Sequence, residues 1–83
     1  MKKYLLKVEV EPLEEGGYLA TCAELQGCHA EGDTIAEALE NVEDVARILL
    51  ELRQEDGLAL PEGLEQLESG AVIKAQVVVT VPE

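Results

Sequence analysis

The chain is expected to fold as an α+β domain in the order β-β-β-α-β, with one helix packed on one face of a small mixed sheet. Three patterns carry this expectation. Tyr4 to Glu11 alternates in side-chain character, Thr34 opens a long stretch of apolar residues at helical spacing, and alternation returns from Ala71 to Val81.

In the first stretch Tyr4, Leu6, Val8 and Val10 point one way and Leu5, Lys7, Glu9 and Glu11 the other, the period of a half-buried strand. Pro12 ends it, and Glu14-Glu15-Gly16-Gly17 supplies a turn whose glycines can take positive φ, so a hairpin follows. The second strand runs from Tyr18 to about Ala23 and stops near Leu25-Gln26-Gly27. A short third strand covers Cys28 to about Glu31, completing an antiparallel meander.

Gly32-Asp33-Thr34 closes that strand and opens the helix. Thr34 suits the N-cap, and Glu37 three residues on completes a capping box in which each side chain reaches the other residue's backbone N–H. Asp33 places negative charge at the positive end of the helix dipole. Ile35, Ala38, Leu39, Val42, Val45, Ala46, Leu49 and Leu52 then form one apolar stripe, and Gly57 is the left-handed stop. Leu58 to Ser69, with Pro61, Gly63, Leu64 and Leu67, reads as a loop with one helical turn. The last strand, Ala71 to Val81, has Ala71, Ile73, Ala75, Val77, Val79 and Val81 on one side. Val72 and Val78 on its mixed side are placed to meet a second subunit or another layer. Having crossed over the helix, this strand can lie parallel to the first, with a right-handed connection.

With 83 residues the chain makes one domain, 1–83, with one core. Hydrophobic residues are 47% of it, yet Phe and Trp are absent and Tyr4 and Tyr18 are the only aromatics, so the core is aliphatic. Such a core gains from burying further surface against a second copy, and a homo-oligomer is expected. Eighteen acidic against six basic side chains give a net charge of −12. That surface repels phosphate backbones, which argues against direct nucleic-acid binding, and it steers basic proteins toward the chain. The plainer reading is that the charge maintains solubility. No run approaches the ~18 apolar residues of a membrane span. Lys7, Glu9 and Glu11 interrupt any signal-peptide core after Met1-Lys2-Lys3, so the expected location is cytoplasmic, with Cys22 and Cys28 reduced.

Catalytic and metal chemistry find little support in the residue pattern. Cys28 and His29 are adjacent, and neighbours in a strand point to opposite faces, so the imidazole cannot readily activate the thiol. Cys22 and His29 are open to each other across the hairpin but lack an orienting third group. Cys22, Cys28 and His29 have neither the paired cysteine spacing nor the fourth ligand of a structural zinc site. Glu9 and Glu11 lie on a polar strand face. Glu37, Glu40, Asp44, Glu51 and Glu55 lie along the outer side of the helix, interrupted by Arg47, which can pair with Glu43 or Glu51. No cofactor or metal is implied.

The succession Gly16-Gly17-Tyr18-Leu19-Ala20, Leu25-Gln26-Gly27-Cys28, Gly32-Asp33-Thr34 and Glu37-Ala38-Leu39-Glu40-Asn41, with Pro61 after the helix, resembles the HicB-like antitoxin family. The resemblance covers about the first sixty residues. It departs at Ala23-Glu24, where the family often has Pro-Asp, and at Glu62-Gly63, where a second proline is usual. It implies a partial RNase H-like fold, in which Gly27, Cys28, Gly32, Asp33, Thr34, Glu37 and Ala38 define the fold and carry no chemistry. It also implies an antitoxin that binds a small basic RNA-cutting HicA-like toxin and blocks its active site. Many members carry a C-terminal DNA-binding domain, and a chain ending at Glu83 is expected to lack it. The acidic stripe Glu37, Glu40, Asp44, Glu51 and Glu55 is the candidate partner-binding surface. Two other readings stand beside this one: a solitary oligomeric binding domain with no toxin, and a degenerate RNase H-like nuclease using magnesium at Glu9 and Glu11.

Overall fold

The computed structural model describes residues 2–82. The alternation of the first eleven residues resolves into two short strands, β1 (Lys3–Leu5) and β2 (Glu9–Pro12). What parts them is a side chain: the Lys7 amide donates to Glu24 Oε1 at 2.8 Å. That amide is therefore taken by the loop after the next strand. Leu6 and Val8 on either side still pack against the core.

The hairpin follows where the glycines allow it. β2 pairs antiparallel with β3 (Tyr18–Thr21), closing with Pro12 opposite Tyr18. In the connection the Gly16 amide donates to the Leu13 carbonyl at 3.0 Å, and Gly16 and Gly17 both take positive φ, 103° and 82°. β3 pairs antiparallel with β4 (His29–Gly32), with Thr21 opposite His29 and Tyr18 opposite Gly32. Between them the chain coils tightly. Cys22 N–H donates to Cys28 O at 2.9 Å, Cys28 N–H to Leu25 O at 3.1 Å, and Leu25 is buried beneath the loop.

Helix α1 spans Ile35–Glu55. Thr34 is extended (φ −126°, ψ 164°), and its Oγ1 accepts from the Glu37 amide at 3.0 Å, the first half of the expected capping box. At the other end Gly57, with φ 69°, donates to Gln54 O, and Leu58 N–H donates to Arg53 O at 2.8 Å, a Schellman ending that uses two orphan carbonyls. Arg53 adds a bond to Ala59 O at 2.9 Å, tying the following loop back to the helix.

The helix lies on β3 and β4, and the contact is unusually close because the facing residues are small. Ala38, Val42 and Ala46, spaced four apart, are its buried side chains. They meet Ala20, Cys22, Leu25 and Cys28 in the core. Gly32 allows the approach: a Cβ at that position would stand 2.4 Å from the Ala38 nitrogen and 2.8 Å from the Glu37 carbonyl carbon. Two further ties follow along the same seam. Asn41 Nδ2 donates to the Glu31 carbonyl at 2.8 Å, and Cys28 Sγ lies 3.9 Å from the Val42 carbonyl. Leu39 and Leu52, at 41% and 49% exposure, lie outside the seam, so the buried stripe is narrower than the spacing suggests.

Beyond the helix three expectations are corrected. Leu58 to Ser69 holds a strand, β5 (Glu65–Leu67), instead of a helical turn. β5 pairs antiparallel with β1, Lys3 opposite Leu67 and Leu5 opposite Glu65. Among the described residues there is accordingly no parallel pairing and no single mixed sheet. A two-stranded β1-β5 sheet and a three-stranded β2-β3-β4 sheet are both antiparallel. Finally, Ala71 to Val81 forms no strand, and each of its residues is exposed. A turn sends it away: Gly70 takes φ 81° and the Ala71 amide donates to Glu68 O at 3.1 Å, redirecting the chain after β5.

Gly32→Ala drives a methyl group into backbone that cannot move aside, and we expect a loss of about 3 kcal/mol. Thr34→Ala removes one capping bond and is expected to cost about 1 kcal/mol. Urea denaturation followed by circular dichroism at 222 nm checks both, and the order of the two effects is the critical result.

Candidate functional site: the acidic outer face of the helix

The seam that buries Ala38, Val42 and Ala46 turns the opposite side of α1 to solvent. Glu37, Glu40, Asp44, Glu51 and Glu55 are all exposed there, and at 3.6 residues per turn they fall within roughly 60° of arc. Glu37 does double service, because its amide caps the helix while its carboxylate belongs to the stripe. Arg47 interrupts the row. It donates to Asp44 Oδ1 at 2.9 Å and lies 3.6 Å from Glu43 Oε1, one turn back, where Glu51 was an equal expectation. The hydrogen bond to Asp44, followed by its charge, holds the guanidinium even more firmly protonated than usual. All three side chains are more than half exposed, so these pairs orient Arg47 and add little stability. Asp44 is the one carboxylate of the stripe in such a pair. Among the described residues, the face as a whole carries negative charge without an ion-pair partner at its two ends, Glu37 and Glu40 at one and Glu51 and Glu55 at the other.

The residues with potential chemistry are placed apart. Cys28 is 2% exposed while its neighbour His29 faces solvent, the opposition that strand geometry demands. Cys22 and Cys28 are free thiols, both buried, opposite one another where β3 and β4 diverge. Burial raises the Cys28 thiol above its ordinary value, and the neighbouring Cys22 raises it further by charge and hydrogen bonding. A reactive thiolate needs the reverse environment. Glu9 and Glu11 are exposed on β2. Among the described residues, no three His, Cys, Asp or Glu side chains converge as a metal site. The described residues also contain no helix long and apolar enough to cross a membrane.

The sequence motif residues take structural places: Gly27 has φ 79° in the coiled loop, Cys28 and Ala38 sit in the core, and Gly32 admits the helix. Asn41 was not singled out as a contact. Its position at the end of the Glu-Ala-Leu-Glu-Asn run is explained by the Glu31 carbonyl it caps, which only the folded chain brings near.

No family model matches the chain. Individual proteins do. UPF0150 protein ssl0738 of Synechocystis sp. is 43% identical over 47 residues, 57% of this chain and 65% of that protein. UPF0150 protein ssl0259 of the same organism is 37% identical over 54 residues, covering 65% of this chain and 74% of its own length. Antitoxin HicB of Pseudomonas fluorescens is 36% identical over 75 residues, which is 89% of this chain and 49% of that protein. The chain thus spans about half of the antitoxin and just under two thirds of ssl0738. It belongs to the UPF0150 family, and its match to a HicB antitoxin agrees with the HicB-like resemblance carried by the motif pattern from Gly16 to Asn41.

Because Cys28 ionises less readily folded than unfolded, its contribution to stability is intact below about pH 9, the ordinary thiol value, and is lost as pH rises through the raised one. Unfolding midpoints in urea should therefore fall as pH is raised above 9, and fall less in Cys28→Ala. At pH 8, thiol titration of the native chain should proceed only at the rate of unfolding.

Proposed function

We propose that this chain is an antitoxin that acts by binding alone, pairing with a small basic HicA-like ribonuclease and covering that enzyme's active site. The match along 89% of the chain to a protein named as a HicB antitoxin carries the reading. The acidic face of α1 supplies a physical means. A net charge of −12 accelerates encounter with a basic partner, and carboxylates at the contact compete with RNA phosphates for the same cationic side chains. Glu37, Glu40, Asp44, Glu51 and Glu55 are the proposed contact residues. None of these five side chains contributes to the core, so the face is free to serve a partner. On this reading the β2-β3-β4 meander with its helix is the central part of an RNase H-like fold that has kept the scaffold without the chemistry.

The test is replacement of the five carboxylates by their amides. That removes five of eighteen acidic groups, and toxin affinity at low salt is expected to fall about 10- to 100-fold with a flatter dependence on ionic strength. Helical circular dichroism should be unchanged. Calorimetry or surface plasmon resonance with a basic HicA-like toxin reads the affinity; equal affinity and equal salt slope for the two proteins rules out the acidic face. Magnesium-dependent RNA cleavage by the purified chain, abolished by Glu9→Gln, would instead establish the nuclease reading.

A further inference from the structure

The segment from Ala71 to Val81 is at odds with the rest of the molecule. Exposed large apolar side chains elsewhere, such as Ile48 and Leu58, reach at most 58% exposure, yet here Val72 is 87% exposed, Val77 81%, Val78 71%, and Val79 and Val81 73% each. The segment is also electrostatically distinct. Ser69 to Pro82 is the longest run without Asp or Glu, and Lys74 is its only charge. Two chains of net charge −12 repel each other over most of their surfaces, and this is the place where they can approach without opposing carboxylates.

We propose that Ala71–Val81 pairs antiparallel with the same segment of a second copy, about a two-fold axis passing through Gln76. The residue pattern is self-complementary in that register. Ile73 then faces the partner copy's Val79, Ala71 faces its Val81 and Ala75 faces its Val77, so the odd-numbered face is apolar throughout. Lys74 falls opposite Val78, and no like charges meet. Sliding the strands until Lys74 opposes itself would set two cations together and shorten the overlap. A two-fold pairing of this kind is isologous and closes, and it covers one hydrogen-bonding edge of each valine-rich strand. A ribbon of two strands is marginal by itself. Ile48, Leu52 and Leu58, exposed on the helix and just after it, provide apolar surface to cover one side. A basic partner is the poorer occupant, since it is drawn to the carboxylates of α1 and repelled by Lys74. The inference is independent of whether the chain is an antitoxin.

Sedimentation equilibrium of the purified full chain tests it. A dimer is expected in the micromolar range, and Val79→Glu should raise the dissociation constant at least tenfold with unchanged helical circular dichroism, because residue 79 contributes nothing to the core. Adding Ile73→Lys to Val79→Glu places opposite charges face to face in this register and should restore most of the loss. Mild oxidation of Gln76→Cys should cross-link the dimer, since directly opposed Cα atoms are about 4.5–5.5 Å apart, whereas Thr80→Cys should not. A chain that stays monomeric to about 100 μM overturns the proposal, as does a Val79→Glu variant that dimerises like the parent. Preferential cross-linking through Thr80→Cys overturns the register.

Discussion

The close approach of the α1 backbone to the end of β4 is the constraint on which the rest of the molecule depends. Gly32 has no Cβ, so the first turn of the helix, at Glu37 and Ala38, can sit against it. That distance favours Ala38, Val42 and Ala46 as the buried residues and places mostly small side chains opposite them, Ala20 and the two cysteines, with Leu25 beside them. It also sets the helix rotation. With the small residues inward, the carboxylates are outward, so the location of the acidic face follows from a steric contact on the other side of the helix.

A core made this way is tightly spaced but poor in area: among the described residues Leu25 and Val42 are its only larger fully buried aliphatic side chains, and its one aromatic neighbour, Tyr18, is only partly buried. Stability must come in part from hydrogen bonds placed at the seam, of which Asn41 to Glu31 is one. The same economy explains the thiols. Cysteine fills the space between alanine and valine and tolerates burial as a small apolar group. The pair at 22 and 28 is therefore explained by packing where β3 leaves β4, with Cys28 directed at the helix carbonyl of Val42.

Much of this was legible in the sequence. The helix begins at Thr34 and stops at Gly57 because capping is local chemistry, readable from four consecutive residues. The hairpin at Gly16-Gly17 is local too. Gly32 is only partly legible: beside Asp33 and Thr34 it looks like a strand terminator, whereas the close approach of Ala38 that excludes a side chain there exists only in three dimensions. β5 has three residues, Glu-Gln-Leu, with no alternation to detect, and it forms because β1 lies beside it. Conversely, the alternation from Ala71 to Val81 reports competence to pair, and competence does not name a partner. The stripe of carboxylates was visible as a helical repeat, but their freedom from the core and the choice of Glu43 and Asp44 by Arg47 required coordinates.

The carboxylate of Glu24, which takes the Lys7 amide out of the strand, has a mechanical effect beyond its single bond. It makes Leu6 to Val8 a joint between a ribbon, β1 with β5, and a body, the meander with its helix. The seven buried side chains belong to the body. The ribbon is joined to it through that joint at one end and the loop after α1 at the other. Opening the ribbon breaks few buried contacts, so the molecule can loosen at one edge while its centre stays folded. Such a hierarchy lets the ribbon open while the acidic outer face of α1 keeps its arrangement.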